Sequence, residues 1–245
     1  MPHYNTGRMK TTEVSRAHSA IAWAGGVAFA VSLLWCFLTI LFGMKESNTT
    51  DAPSLTFAVI NFALFTVFAA HHSLFARTGI KRWIASHVPA ELERSIYVWI
   101  SSVLLIVVCV AWQRLPGIVY AHYGVAAILH WLIVALGFWL TFRSASVLDP
   151  LVLAGIRQAT RQEFTSEFKL FGPYYLVRHP IYLGWVLIVF GAPEMTWTRL
   201  EFAVVSSAYL VFAIPFEERS LVDAFGETYR AYQRQVRWKL VPFVW

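Results

Sequence analysis

Charge is what this sequence has least of. Asp, Glu, Lys and Arg make up 14% of the 245 residues, against about 25% in ordinary soluble domains. That scarcity, with 58% hydrophobic residues, excludes a soluble domain with a broad charged surface. Cysteine is also scarce. Cys36 and Cys109 both lie inside apolar runs, and there is no Cys-x-x-Cys pair. A zinc or dithiol redox motif is therefore excluded, and both cysteines read as packing residues. No His, Cys, Asp or Glu grouping has metal-ligand spacing, so no metal is expected. Internal repeats and low-complexity tracts are absent too. Acidic residues are fewer than basic ones, 14 against 20. The excess basic residues lie between apolar segments and form no stripe with interleaved stacking aromatics, which argues for membrane topology over nucleic acid as a partner.

What the sequence does have is long apolar runs. Spanning a bilayer takes roughly 17–25 residues. The segments 20–44, 55–74, 96–112 and 123–142 qualify, and two shorter runs follow at 181–192 and 202–216. The last two are expected to form a tight helical pair joined through Pro193–Arg199. The first run is too long for the core of a cleavable signal and reads as a retained helix. Lys and Arg along the successive loops number 3, 1, 4, 1, 5, 1 and 5. This alternation is the positive-inside pattern. It predicts an all-α polytopic membrane protein with six helices and both termini cytoplasmic. Residues 1–142 form a four-helix region, and 143–245 add a long cytoplasmic connection, two more helices and a tail within one integrated domain.

Two constellations carry chemistry. The first runs from Gly172 to Trp185 and contains Arg178-His179-Pro180-Ile181-Tyr182. Pro180 suits a first helical turn, which places His179 at the cap and Tyr182 on the same side. Gly184 permits close approach of a backbone or a ligand. A helix N-terminus can receive a carboxylate, but a basic membrane-edge anchor explains the same residues. The second is Glu217-Glu218 directly after an apolar run, then Phe225-Gly226 with Tyr229 and Tyr232. Buried carboxylates are costly unless paired. Neighbours on a helix point about 100° apart, so one of the two is expected to face an internal site. A solvated helix end is the alternative.

Taken in order, Arg-His-Pro-x-Tyr-x-Gly, Glu-Glu-x-x-Leu and Phe-Gly-x-x-Tyr-x-x-Tyr resemble the isoprenylcysteine carboxyl methyltransferase and phospholipid methyltransferase superfamily of membrane-integral enzymes. His72-Ser73-Leu74-Phe75-Ala76-Arg77, Glu93-Arg94-Ser95-x-Tyr97 and Gly155-Ile156-Arg157-Gln158 narrow the resemblance. They are similar to the bacterial methanethiol S-methyltransferases and to membrane proteins associated with nitrite and nitric-oxide reduction. The resemblance implies an enzyme of the bacterial inner membrane that uses S-adenosylmethionine, held at the cytoplasmic side by the C-terminal third. The implied contacts are Gln158, Tyr174, His179, Pro180, Tyr182 and Glu217, with backbone near Phe168 and Lys169. Tyr229 and Tyr232 are weaker candidates, equally explained as interfacial packing.

His71 and His72 end an apolar run on the same side. A thiol must lose its proton to become a good nucleophile, and a histidine can take it. His72 is the candidate base, with a hydrogen-bonding role at the helix end as the alternative. The expected partners are a small apolar thiol and membrane lipid. Two other readings stay open: methylation of a prenylcysteine carboxylate or a phospholipid amine, and a non-enzymatic role in nitrogen-oxide metabolism.

Overall fold

The protein is described here by a computed structural model covering residues 16–45, 55–74, 86–147, 149–160 and 171–245. Helix α1, Arg16–Leu38, continues into a π-helical turn, Thr39–Gly43. Helices α2 (Leu55–Leu74), α3 (Glu93–Ala111) and α4 (Gly124–Ala145) follow. A strand β1, Ile118–Ala121, precedes α4. Two single-turn helices, α5 (Pro150–Leu153) and α6 (Ile156–Ala159), lie in the long connection. Then come α7 (Pro180–Phe190), β2 (Glu194–Thr196), α8 (Trp197–Phe225) and α9 (Glu227–Gln235).

Five of these segments are long and apolar enough to cross a membrane, and α7 is a shorter apolar helix. Protein covers only a minority of each long span. On α4, Leu129, Leu132, Leu136 and Trp139 form one exposed apolar face. Such a face would be unfavourable in water, so lipid is its natural counter-surface. The helical state satisfies every mid-span backbone group internally. Packing pairs α1 with α3, α4 with α7, and α8 with both α2 and α7. Their shared core holds Cys36, Phe65, Val108, Trp112, Ile188 and Phe202, with Phe202 edge-on to Phe65 at 5.9 Å and to Trp112 at 5.1 Å.

Gly184 admits a backbone, that of α4. A Cβ there would come within 2.7 Å of the Gly137 carbonyl oxygen, and one on Gly137 within 2.7 Å of the Gly184 carbonyl. This glycine pair brings α7 against α4. At 11 residues α7 is only about 16 Å long, yet it links the two ends of the bundle. His179, at its start, meets the C-terminal half of α8, Trp185 Nε1 donates to Ser206 Oγ at 3.0 Å, and β2 leads directly into the start of α8.

Two expectations need correction. The last helix is not confined to 202–216 but runs through Trp197–Phe225. The Thr196 side chain caps its start by accepting from Arg199 N–H at 3.1 Å. The helix also passes through Pro215, which lacks the N–H that would bond Val211, and continues through Glu217–Arg219, where hydropathy falls away. The connection before it is not a simple tight turn either. It contains β2, which pairs antiparallel with β1, Ile118 opposite Thr196 and Ala121 opposite Glu194. Strands of four and three residues have too little alternation to show in a sequence.

The three loops to which the charge series assigns few basic residues meet at one end. Thr196 Oγ1 donates to the Met44 carbonyl at 2.8 Å, and the β1–β2 ribbon joins the other two. The chemistry-bearing motifs gather at the opposite end.

Candidate active site

The start of α7 is held by the chain's last segment. Arg178 N–H donates to the Trp238 carbonyl and His179 N–H to the Lys239 carbonyl, both at 2.9 Å. Helix α9 folds back so that Tyr232 Oη donates to the Tyr174 carbonyl at 2.8 Å. Tyr229 and Tyr232 are both buried in this small cluster, with Val236 beside them. Their structural role is therefore to pin the segment that carries Tyr174 and His179. Burial, first, and then the charge of Glu217 hold the Tyr174 phenol up at about 12.

His179 sits between two carboxylates. Its Nδ1 lies 3.5 Å from Glu217 Oε2 and its Nε2 3.2 Å from Glu218 Oε1. Burial disfavours the imidazolium, but the hydrogen bonds and charges of Glu217 and Glu218 outweigh it and raise the His179 pKa. Tyr182 stacks on the imidazole with centroids 5.4 Å apart, and its hydroxyl donates to Glu217 Oε2 at 2.7 Å. Sequence reasoning placed one of the two glutamates at an internal site. Both reach the same histidine, from opposite sides of its ring.

The two glutamates then differ. Glu218 is buried and receives Arg178 Nε at 2.6 Å, Arg178 Nη2 at 3.3 Å and Gln233 Nε2 at 3.2 Å. Arg178 also donates through Nη1 to the Val236 and Arg237 carbonyls, at 2.8 and 3.0 Å. This is a saturated ion pair that locks α7, α8 and the tail together. Glu217 is densely surrounded by protein and yet its side chain is 43% exposed. Among the described residues no hydrogen bond reaches its Oε1, so one carboxylate oxygen is open to a ligand.

His72 has the same double character, enclosed yet accessible, and lies within electrostatic reach of Glu217. Its Nδ1 is 2.9 Å from Tyr97 Oη, and its ring stacks on Phe68. Tyr97 in turn lies within electrostatic reach of Tyr182. His72 and Tyr97 of the first helices are thus brought within electrostatic reach of Tyr182 and Glu217 of the C-terminal motifs. Arg94 places its guanidinium 5.0 Å from the centroid of the Tyr97 ring and donates to the Leu153 carbonyl at 3.2 Å. The Gly155-Ile156-Arg157-Gln158 turn packs on the start of α3, where Ser95 Oγ donates to the Gly155 carbonyl at 3.2 Å. Gly155 has φ +77°, and a Cβ would meet Ser95 N at 2.8 Å, so only glycine fits.

Gln158 sits on α6, its Nε2 donating to the Val152 carbonyl at 3.3 Å. Its Oε1 is buried without a hydrogen-bond partner among the described residues. No hydrogen bond among the described residues joins it to the His179 cluster. Pro180 is the first residue of α7 and is buried. Phe168 and Lys169 lie outside the described residues. Sequence reasoning gave no role to Tyr97, Arg178 or Gln233. Arg94, Tyr97 and Ser101 fall three and four residues apart on one face of α3, which is the signal that was available. Arg178 and Gln233 lie far apart in sequence, and only folding brings them to Glu218.

Comparison with known proteins gives a consistent set of relatives. The chain is 36% identical over 231 residues to methanethiol S-methyltransferase 2 of Bradyrhizobium diazoefficiens, covering 88% of this chain and 86% of that protein. It is 36% identical over 191 residues to the methanethiol S-methyltransferase of Mycobacterium tuberculosis, covering 76% and 78%. A more distant relative is nurim of Xenopus laevis, 28% identical over 166 residues, covering 62% and 58%. No family model matches the chain, and no solved structure matches it.

Proposed function

This chain belongs to the methanethiol S-methyltransferase family, and from that premise we propose that it methylates methanethiol to dimethyl sulfide with S-adenosylmethionine as the methyl donor. The observation that carries the reading is the accessible Glu217 carboxylate, held by Tyr182 Oη at 2.7 Å and lying within electrostatic reach of His72. The donor set fits the cofactor. Glu217 offers an accessible carboxylate oxygen to an ammonium group, Gln158 has a buried amide oxygen without a partner among the described residues, and Tyr174 and Tyr182 offer aromatic faces. Bound there, S-adenosylmethionine supplies a methyl group activated by its sulfonium.

The protein's own groups do the rest. His179 and Tyr182 hold Glu217 in one orientation. Arg178 and Glu218 keep His179 from turning away. His72 takes the proton of the incoming thiol, whose ordinary pKa of about 8.5 or higher leaves little thiolate at neutral pH. Phe68, stacked on His72, sets an apolar face beside it. Charge is neutralised as the methyl group moves to a thiolate, so an apolar surrounding favours the step. Lipid on all sides gives a small apolar thiol a direct route inward.

The site and both termini lie on the cytoplasmic side of the inner membrane in this reading, supported by the loop-charge series. A cysteine probe at position 48 should then label from outside the cell and one at position 162 should not; the reverse pattern would invert the orientation. The functional test is a methyl-transfer assay with labelled cofactor against thiols, prenylcysteines and phospholipids. Label should appear in dimethyl sulfide. Label confined to a prenylcysteine or phospholipid would reassign the acceptor, and transfer to none of them would favour a non-enzymatic role in nitrogen-oxide metabolism.

A further inference from the structure

We infer that Tyr97 is a positioning residue that fixes His72 with its proton on Nδ1, so that Nε2 is the atom that accepts the thiol proton. The inference rests on the reading of His72 as the base. His72 lies in the last described turn of α2, Leu55–Leu74. Tyr97 Oη lies 3.2 Å from the His72 carbonyl and 2.9 Å from His72 Nδ1. A phenol has one hydrogen to donate and lone pairs to accept. The carbonyl can only accept, so both contacts form together only when the phenol hydrogen goes to the carbonyl and Nδ1–H donates to the phenol. In the other tautomer, two acceptors would compete for one hydrogen. Tyr97 is buried, and one of its two contacts with His72 would be lost.

Tyr97 is itself held in place. Arg94 lies over its ring, and His71 stacks against it with centroids 5.6 Å apart. The ionisable groups facing His72 are His71 on α2, Arg94 and Tyr97 on α3 and Glu217 on α8. Among the described residues no hydrogen bond engages His72 Nε2, and the side chain is accessible. With the proton on Nδ1, a lone pair is presented there. The other tautomer would present an N–H, which cannot accept a proton.

Nitrogen-15 NMR of histidine-labelled wild-type protein, with His72 assigned by its loss in His72→Gln, reads the tautomer directly and needs no change at Tyr97. A protonated Nδ1 and a bare Nε2 are expected; the reverse overturns the inference. Tyr97→Phe keeps the ring and its stacking. It should lower kcat about ten- to thirtyfold at neutral pH, leave KM for S-adenosylmethionine unchanged, and recover as rising pH ionises the thiol unaided. A loss equal at every pH, or no loss while His72→Gln is severely impaired, would overturn the role of Tyr97 alone. Full turnover in both variants would instead overturn the base on which it rests.

Discussion

At the end of the bundle where Met44, Gln113 and Thr196 meet, polar groups close on one another; at the end where His72, His179 and Glu217 meet, some stay open. Asn61 accepts from Gln113 N–H at 2.7 Å and donates to the Gln113 carbonyl and to Glu201 at 2.9 and 2.6 Å. Thr198 accepts from Leu115 N–H at 2.7 Å and donates to the Leu115 carbonyl at 3.0 Å. These bonds seal helix ends to loops. Arg199 departs from the pattern, buried with Nη2 on the Leu41 carbonyl and Nε and Nη1 without partners among the described residues. At the other end the saturated Arg178–Glu218 pair does the sealing, and the residue next to it, Glu217, is left with an open oxygen. Similar polar chemistry thus closes one end and leaves an accessible acceptor at the other. Incomplete satisfaction together with accessibility is what separates them.

The largest expected effect lies on the sealing side of the active end. Glu218→Ala leaves Arg178 buried without its anion and should destabilise the fold by about 3–5 kcal/mol. Denaturant titration in lipid discs checks this, and a loss under about 1 kcal/mol would show the pair to be ornamental. His72→Gln lies on the open side. It should slow turnover by about a hundredfold, equivalent to about 2.7 kcal/mol, with stability and cofactor affinity close to wild type. A variant that instead binds cofactor poorly would move His72 into the sealing class.

A smaller effect follows from His179. Its pKa is higher in the folded protein than in the unfolded chain. Its stabilising contribution is therefore fully present below the ordinary value of about 6.5 and is lost as pH rises through the raised folded value. The stability gap between wild type and His179→Gln should be widest at the acid end of that window and narrow as pH rises. A gap that widens with pH would mean that His179 is held neutral.

Much of this was legible in the sequence. The apolar runs mark the five long helices, because a bilayer demands length. The order of the motifs marks His179, Tyr182 and Glu217, which meet in the fold. The division of labour between Glu217 and Glu218 was not legible. It depends on where α9 and the tail place Gln233 and the carbonyls of Val236 and Arg237 around Arg178. Tyr97 was hidden for a similar reason, since its partner His72 belongs to another helix. Gly184 could be read from sequence as a point of close approach, but not that the approaching backbone is that of Gly137.

The account rests most heavily on Glu217 being the open carboxylate that receives the cofactor. Calorimetric titration of S-adenosylmethionine into folded wild type, Glu217→Ala and Asn61→Ala measures this directly. Wild type should bind, Glu217→Ala should lose about 2–3 kcal/mol of binding free energy as expected for a charge-assisted hydrogen bond, and Asn61→Ala, altered at the sealed end, should bind as wild type does. Equal affinity for wild type and Glu217→Ala would contradict the assignment of the site.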